Sequence, residues 1–361
     1  MIWMRRLAIV LLGVAVAAFL GFNLFKAQIA SAVFSRVLDQ RVGVDPSLEL
    51  PDGLHVYLCG TGSPMPDATR AGPCLGVMAG TRAFVFDVGS GGTRNLGSMG
   101  FPTDRLEAVY LTHLHSDHID GLGELLTIAW IAGSRTEPIP VRGPVGTQEV
   151  VGGFNAAYRL DSTYRVAHHG PKVANPGGFG GAADEIEIPI GPNGQLVVFD
   201  EGDLKITAIR VDHAPIEPAF GYRIDYKDRS VSISGDTIYQ PRFVAASKAV
   251  DVMLHEALDK EMVEAIGVKL GERGLENPAK IFADILDYHT DPEEAARAAQ
   301  EAGTEQLIYY HIVPQLPVKL LEALWLGDAK SIFDGDITVG SDGMIISLPA
   351  GTDKVLKRQA L

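Results

Sequence analysis

Apolar and polar positions alternate in short runs along most of this chain and change to a helical spacing at a few places. The runs predict strands over His55–Cys59, Ala83–Val88, Ala108–Thr112, Pro140–Arg142, Leu204–Val211, Gly221–Tyr226, Ser230–Ser234, Val250–His255, Gln306–His311 and Ile337–Leu348. The helical spacing predicts helices over Gly121–Ala132, Asp259–Lys269, Ala279–Tyr288, Pro292–Ala302 and Val318–Leu326. The fourth has the clearest start: Thr290-Asp291-Pro292 supplies a capping side chain and a proline for the first turn, and Glu293 and Glu294 come next. Helices follow strands in both halves, so an α/β architecture with sheets inside and helices outside is expected. Between Arg159 and Gln195 the pattern dissolves into Gly, Pro and Asn, a length that predicts a functional loop or an arm.

One segment breaks the alternation. Leu7 to Phe25 is an uncharged apolar run preceded by Arg5 and Arg6; as a helix it is about 28 Å long, close to one bilayer. No polar stripe marks it as a buried core helix. It reads as a signal anchor, or as a signal peptide with a small-residue cleavage site at Ala30-Ser31-Ala32. Residues 1–32 are assigned to it, 33–50 to a linker, and 51–361 to a globular catalytic domain. Arginines ahead of the run favour a cytoplasmic N-terminus. The domain is then exported, periplasmic or membrane-anchored, with the membrane met through the helix if it is uncleaved.

The 361 residues are 46% apolar and 21% charged, enough for a folded core. The 31 basic and 45 acidic residues sum to −14. Nucleic acid is therefore not expected as a partner, because a phosphate backbone is gripped by Lys and Arg. Acidic residues also outnumber basic ones in the Arg159–Gln195 stretch, so it is no basic clamp. Cys59 and Cys74 could pair in an exported compartment or stay as two buried thiols. A homodimer is compatible with the sequence.

The chemistry concentrates in Tyr110-Leu-Thr-His113-Leu-His115-Ser-Asp117-His118, between a strand and a helix. Crowded imidazoles gain nothing from packing together unless they hold a cation. In extended chain His113 and His115 point the same way and can share one ion, while Asp117 and His118 at the turn address a second. Nitrogen and oxygen donors without thiolate fit two Zn²⁺ per chain, with Mn²⁺ or Fe as substitutes. Further donors stand at later strand ends: His213, Asp236, the His255-Glu256 pair and His311.

With these residues in view, the chain resembles the metallo-β-lactamase superfamily through HLHSDH at 113–118, and within it the branch of ribonuclease Z and the zinc arylsulfatase-like hydrolases. The branch is indicated by Gly60-Thr61-Gly62-Ser63-Pro64, Phe86-Asp87-Val88-Gly89, Phe220-Gly221-Tyr222-Arg223, Ser234-Gly235-Asp236-Thr237, His255-Glu256-Ala257, His289-Thr290 and His311. The resemblance implies an αββα sandwich of two mixed β-sheets with helices on the outer faces. It implies one metal held by His113, His115 and His213, the other by Asp117, His118 and His311, and Asp236 bridging them. It places His289 near the leaving group as a proton donor. We read Asp117 as also orienting the nucleophile and Glu256 as fixing a histidine tautomer; Asp87 is either a similar support or a turn residue.

The expected activity is metal-dependent hydrolysis of an ester bond by a metal-bridging hydroxide. A small anionic ester, sulfate or phosphate, is the expected substrate, in an arylsulfatase-like or phosphodiesterase-like reaction. The alternative is a ribonuclease Z-like endoribonuclease trimming tRNA 3′ ends. A metal-free scaffold is a poor fit, since every expected ligand position is filled. His168-His169 is read as substrate-side or solvent-exposed, and Trp130, Trp325 and Tyr158 as core or pocket wall.

Overall fold

The computed structural model describes residues 2–189, 191 and 193–361, so Ile190 and Pro192 of the expected arm lie outside the described residues. The chain divides into two compact units, at 1–46 and 47–361. The first is essentially one helix, α1 (Ile2–Arg41), with none of its residues buried. It is long and apolar enough to cross a membrane. It runs unbroken through Ala30-Ser31-Ala32 and the first half of the expected linker.

In the second unit the chain order begins β1 (Gly53–Gly60), β2 (Cys74–Ala79), β3 (Arg82–Val88), α2 (Gly92–Ser98), β4 (Leu106–Tyr110), α3 (Ser116–Ile119), α4 (Leu122–Ala132), β5 (Ile139–Gly143), α5 (Thr147–His169) and β6 (Gly181–Glu185). The second half runs β7 (Gln195–Glu201), β8 (Leu204–His213), β9 (Ile216–Tyr226), β10 (Arg229–Ile233), α6 (Pro241–Ala246), β11 (Val252–Leu258), α7 (Lys260–Glu272), α8 (Glu276–Asp284) and α9 (Pro292–Ala302). It closes with β12 (Gln306–Val313), α10 (Glu322–Trp325), α11 (Ala329–Ile332), β13 (Asp336–Val339), β14 (Met344–Pro349) and β15 (Leu356–Gln359).

The strands form two mixed sheets, ordered β15-β14-β1-β2-β3-β4-β5-β6 and β13-β12-β11-β10-β9-β8-β7. Parallel pairing runs from β3 through β6 in one and from β10 through β13 in the other; the remaining pairs are antiparallel. Val56, Leu58, Phe84, Phe86 and Tyr110 of the first sheet meet Ile206, Phe220, Tyr222, Ile233 and Tyr310 of the second in one buried cluster. The outer face of the first sheet packs on α4 through Leu122, Leu125 and Leu126, and that of the second on α6 and α9 through Phe243, Ala295 and Ala299. This is the αββα sandwich, with apolar area removed from water on both faces of each sheet.

Several elements differ from their prediction. The Arg159–Gln195 stretch is not a structureless arm: α5 runs to His169 and β6 extends the first sheet beside β5. Gly152 and Gly153 hide that helix in the pattern, while Val151 and Phe154 pack it against the core. The Ile337–Leu348 strand is two, β13 and β14, which join different sheets across a turn at Ser341–Gly343. The helix expected over Val318–Leu326 shrinks to a short 3-10 turn at Lys319–Leu321 followed by α10. Trp130 and Trp325 are core residues, each donating its indole N–H to a backbone carbonyl, of Asn175 and Val313 respectively. Cys59 and Cys74 are joined as a disulfide between β1 and β2; closing a loop of this size stabilises a chain by about 3 kcal/mol.

Candidate metal centre

Ligand-type side chains arrive from both sheets at the edge where the parallel strands end. The segment after β4 carries His113 and His115, and α3 carries Asp117 and His118. His213 ends β8, Asp236 follows β10, His311 lies on β12, and His289 precedes α9. In an open α/β sheet this edge is where binding groups gather, because the loops there are free of the ladder. His113, His115, His213 and Asp236 bring ligand atoms within 4.8 Å of one another, as do Asp117, His118 and His311.

Asp236 is the centre. Its Oδ2 lies 3.2 Å from His311 Nε2, 3.3 Å from His118 Nε2, and 3.9 Å from the Nε2 atoms of both His113 and His213. Asp117 Oδ2 is 3.4 Å from His311 Nε2 and 3.5 Å from His118 Nε2. All of these residues except His115 are buried. The Asp117 Oδ2, His118 Nε2, His213 Nε2, Asp236 Oδ1 and His311 Nε2 atoms are buried without a hydrogen-bond partner. Unpaired buried polar atoms are costly, and convergent ones of this type fit bound cations. A His113 Nε2 only 3.0 Å from His115 Nδ1 fits the same explanation.

The Nδ1 atoms of His113, His118, His213 and His289 are fixed from behind, whereas His311 Nδ1 is buried without a hydrogen-bond partner. His118 donates Nδ1–H to Asp87 (2.8 Å), His213 to the Tyr288 carbonyl (2.9 Å), and His289 to Glu256 Oε1 (3.0 Å). Thr112 gives its backbone N–H and its hydroxyl to Asp87, so its oxygen accepts from His113 Nδ1 at 3.0 Å. Each such bond sets the tautomer and leaves Nε2 to face the centre. Glu256 also takes the backbone N–H of Thr237 and of Thr290, tying the Asp236 turn to the His289 turn.

Burial sets the protonation pattern. It pushes the His113 imidazole well below its usual range, reinforced by His118, and lowers His115 and His213 in the same direction. For His118, burial is outweighed by Asp236, Asp117 and Asp87, and the ring titrates well above the usual range. His311 is likewise raised, to about 9, by Asp236 and Asp117 against the effect of burial. Burial of Asp236 is outweighed by His311 and His118, which hold it ionised.

Thus His113, His115, Asp117, His118, His213, Asp236 and His311 converge, and His289 and Glu256 stand beside them. The His289 ring lies 5.1 Å from that of His213 and 5.6 Å from that of His311. His255 is buried on β11 and bonds the Glu256 carbonyl, and His168 and His169 stack on each other, exposed, at the end of α5. No pattern in the sequence signals the Tyr288 carbonyl, Thr112, or the wall that Ser63, Pro64 and Met65 raise over a cavity of about 70 Å³ at the site.

A mixed-sheet αββα sandwich with this cluster at its edge defines a metal-dependent hydrolase of ester bonds with the metallo-β-lactamase fold. A family described as a beta-lactamase superfamily domain matches residues 94–312. Ribonuclease Z of Mycobacterium avium (strain 104) is 35% identical over 291 residues, 80% of this chain and 96% of that protein. Ribonuclease Z of Mycolicibacterium gilvum (strain PYR-GCK) is 34% identical over 291 residues, 80% of this chain and 94% of its own. Among solved structures, human tRNase Z, short form, aligns with a TM-score of 0.57 at 22% identity, covering 82% of this chain and 99% of that one. The metallo-beta-lactamase fold protein YhfI from Bacillus subtilis also gives 0.57, at 21% identity, over 82% and 100%. The chain belongs to the ribonuclease Z branch of the metallo-β-lactamase superfamily.

That membership corrects the exclusion of nucleic acid drawn from net charge. Relatives matched over nearly their whole length are named ribonuclease Z. A sum of −14 counts every surface group, including Glu261, Glu264, Glu272, Glu276 and Asp284 on α7 and α8, whereas a substrate responds to the field where it docks.

Proposed function

We propose that this protein is a metal-dependent endoribonuclease that hydrolyses a phosphodiester bond of RNA, with tRNA precursors as the first substrates to test. The reading rests on one observation above others: relatives named ribonuclease Z match it over nearly their whole length. The convergence of unpaired buried donors around Asp236 supports the metal requirement. In this reading His113, His115 and His213 would hold one Zn²⁺ and Asp117, His118 and His311 the other, with Asp236 available to both. Such a pair supplies Lewis acidity, neutralising charge on the phosphoryl oxygens and lowering the pKa of water.

The chain's own residues do the rest. Asp117 accepts a hydrogen bond from the attacking water at its carboxylate and so orients it. With Nδ1–H given to Glu256, His289 presents Nε2 to the cavity, where Nε2 takes up a proton from solvent and passes it to the departing oxygen as the bond to phosphorus breaks. Glu256 acts through His289 by holding its ring and tautomer. Tyr288, through its carbonyl, holds His213.

We further infer that α1 attaches the protein to a membrane and that the catalytic unit lies on its far side, so that the RNA it meets in cells is outside the cytoplasm and a tRNA precursor serves to test the chemistry; Arg5 and Arg6 before the apolar run and the paired cysteines support this. Protease accessibility of residues 47–361 in intact cells tests that orientation.

The activity is tested by incubating the zinc-loaded full-length chain with a tRNA precursor bearing a 3′ extension, with bis(p-nitrophenyl) phosphate and with an aryl sulfate. Site-specific cleavage of the precursor, abolished by a chelator, is expected. Turnover of the aryl sulfate with no cleavage of RNA would overturn the proposal.

A further inference from the structure

The loop between β1 and β2 does more than connect them, and its second role presupposes the two-ion site proposed above. Its ends are the buried, disulfide-joined Cys59 and Cys74. Its two legs touch through glycine: a Cβ on Gly60 would lie 1.7 Å from the Gly72 carbonyl oxygen. Asp342, in the turn between β13 and β14, holds both legs. It accepts from the backbone N–H and the hydroxyl of Thr61 at 2.9 and 2.7 Å, from the Ala71 N–H at 2.6 Å, and from Asn95 Nδ2 at 2.9 Å. Asn95 donates to the Cys59 carbonyl as well, at 2.8 Å.

The opposite side of the loop bears on one half of the metal centre. The Thr61 carbonyl accepts from the N–H of Ile312, the residue after His311, at 2.9 Å. Gly72 lies against Asp117, whose carbonyl oxygen would be 2.9 Å from a Cβ there. The Pro73 carbonyl accepts from Gly89 at 2.8 Å, and Gly89 belongs to the turn of Asp87, the partner of His118. Among the described residues no hydrogen bond runs from this loop to the residues His113, His115 or His213 or to their sequence neighbours; its one route to that group, from the Asp87 turn through Thr112 to His113 Nδ1, passes through two further residues.

We propose that the Cys59–Cys74 disulfide and Asp342 are positioning residues for one ion of the pair. By closing the loop they hold the segments of Asp117, His118 and His311 in register, and the ion shared by His113, His115 and His213 does not depend on them.

The test uses the full-length chain in detergent, with Zn²⁺ alone as probe and a chromophoric chelator as competitor. Wild type, the double variant Cys59→Ser/Cys74→Ser and Asp342→Asn are compared, the last because an amide N–H₂ would face the donors that the carboxylate now accepts. In both variants one zinc is expected to bind as in wild type and the other to weaken about 10- to 100-fold, the range for residues that support ligands from behind. Two wild-type affinities, or equal weakening of both ions, would overturn the proposal, since a general loss of stability does not choose between sites. Should circular dichroism show the double variant unfolded, Asp342→Asn, with its disulfide intact, decides the matter. A wild-type chain binding fewer than two zinc ions would instead bring down the two-ion reading itself.

Discussion

On one side of Asp236 stand His113, His115 and His213, and on the other Asp117, His118 and His311. The first group is carried on or just beyond strands: His113 and His115 lie in the short non-helical segment between β4 and α3, and His213 ends a long strand of the facing sheet. Its histidines are pushed toward the neutral form, in which a lone pair is ready for a cation. The second group sits on the one-turn helix α3 and at an irregular point of β12, where its register against β11 shifts. His311 has φ 49°, and Asp87, which fixes His118, has φ 54°. A non-glycine residue in that left-handed region costs about 1–3 kcal/mol and persists only where surrounding structure enforces it. On the proposed two-ion assignment, one position would be ready-made by strand geometry and the other imposed by irregular backbone, hydrogen bonds and a covalently closed loop.

Removing the residue common to both halves should do the most damage. Asp236→Ala is expected to lose both ions and all measurable turnover, read by metal analysis and assay together; retention of either ion would show that the halves are independent. Next, His289→Ala should keep both ions and lower turnover by about 10²- to 10⁴-fold, the usual contribution of a positioned proton donor. Unchanged turnover would remove His289 from the reaction.

The supports of the two halves separate further. Glu256→Gln is expected to leave zinc content unchanged and lower turnover about 10- to 100-fold through His289, whereas Asp87→Asn should weaken zinc by a similar factor through His118. The same phenotype in both would erase the distinction. A milder effect is expected on pH dependence. Protons on His118 and His311 compete with a cation; the one on His311 leaves only as pH climbs toward about 9, and the neighbouring carboxylates hold the one on His118 in the same direction. One zinc affinity should therefore rise between pH 7 and 9 while the other, facing histidines already neutral, stays nearly level. Parallel curves would contradict the assignment.

How much of this was legible in the sequence depended on the reach of each interaction. The HLHSDH stretch was legible because its ligands lie within six consecutive residues, 113–118, so that their crowding is visible without a fold. The helix over Pro292–Ala302 was legible because a capping box is local chemistry: Asp291 and Glu294 bond each other's backbone as the order Asp-Pro-Glu-Glu predicts. By contrast β2 went unseen. It is an apolar run buried on both faces and interrupted by Gly76, where Leu96 and Phe101 pack too closely for a side chain. Asp342-Gly343 reads as an ordinary turn, and its grip on Thr61 and Ala71 spans more than 270 residues of chain. Net charge misled for the reverse reason, a whole-chain sum being applied to a local surface.

Everything above depends on seven side chains meeting two ions with Asp236 between them. Crystals of the zinc-loaded protein measured on both sides of the zinc absorption edge test this arrangement without intermediaries. Two anomalous peaks are expected, one among His113, His115 and His213 and one among Asp117, His118 and His311, each within bonding distance of an Asp236 oxygen. A single peak, or two with Asp236 touching only one, would contradict it.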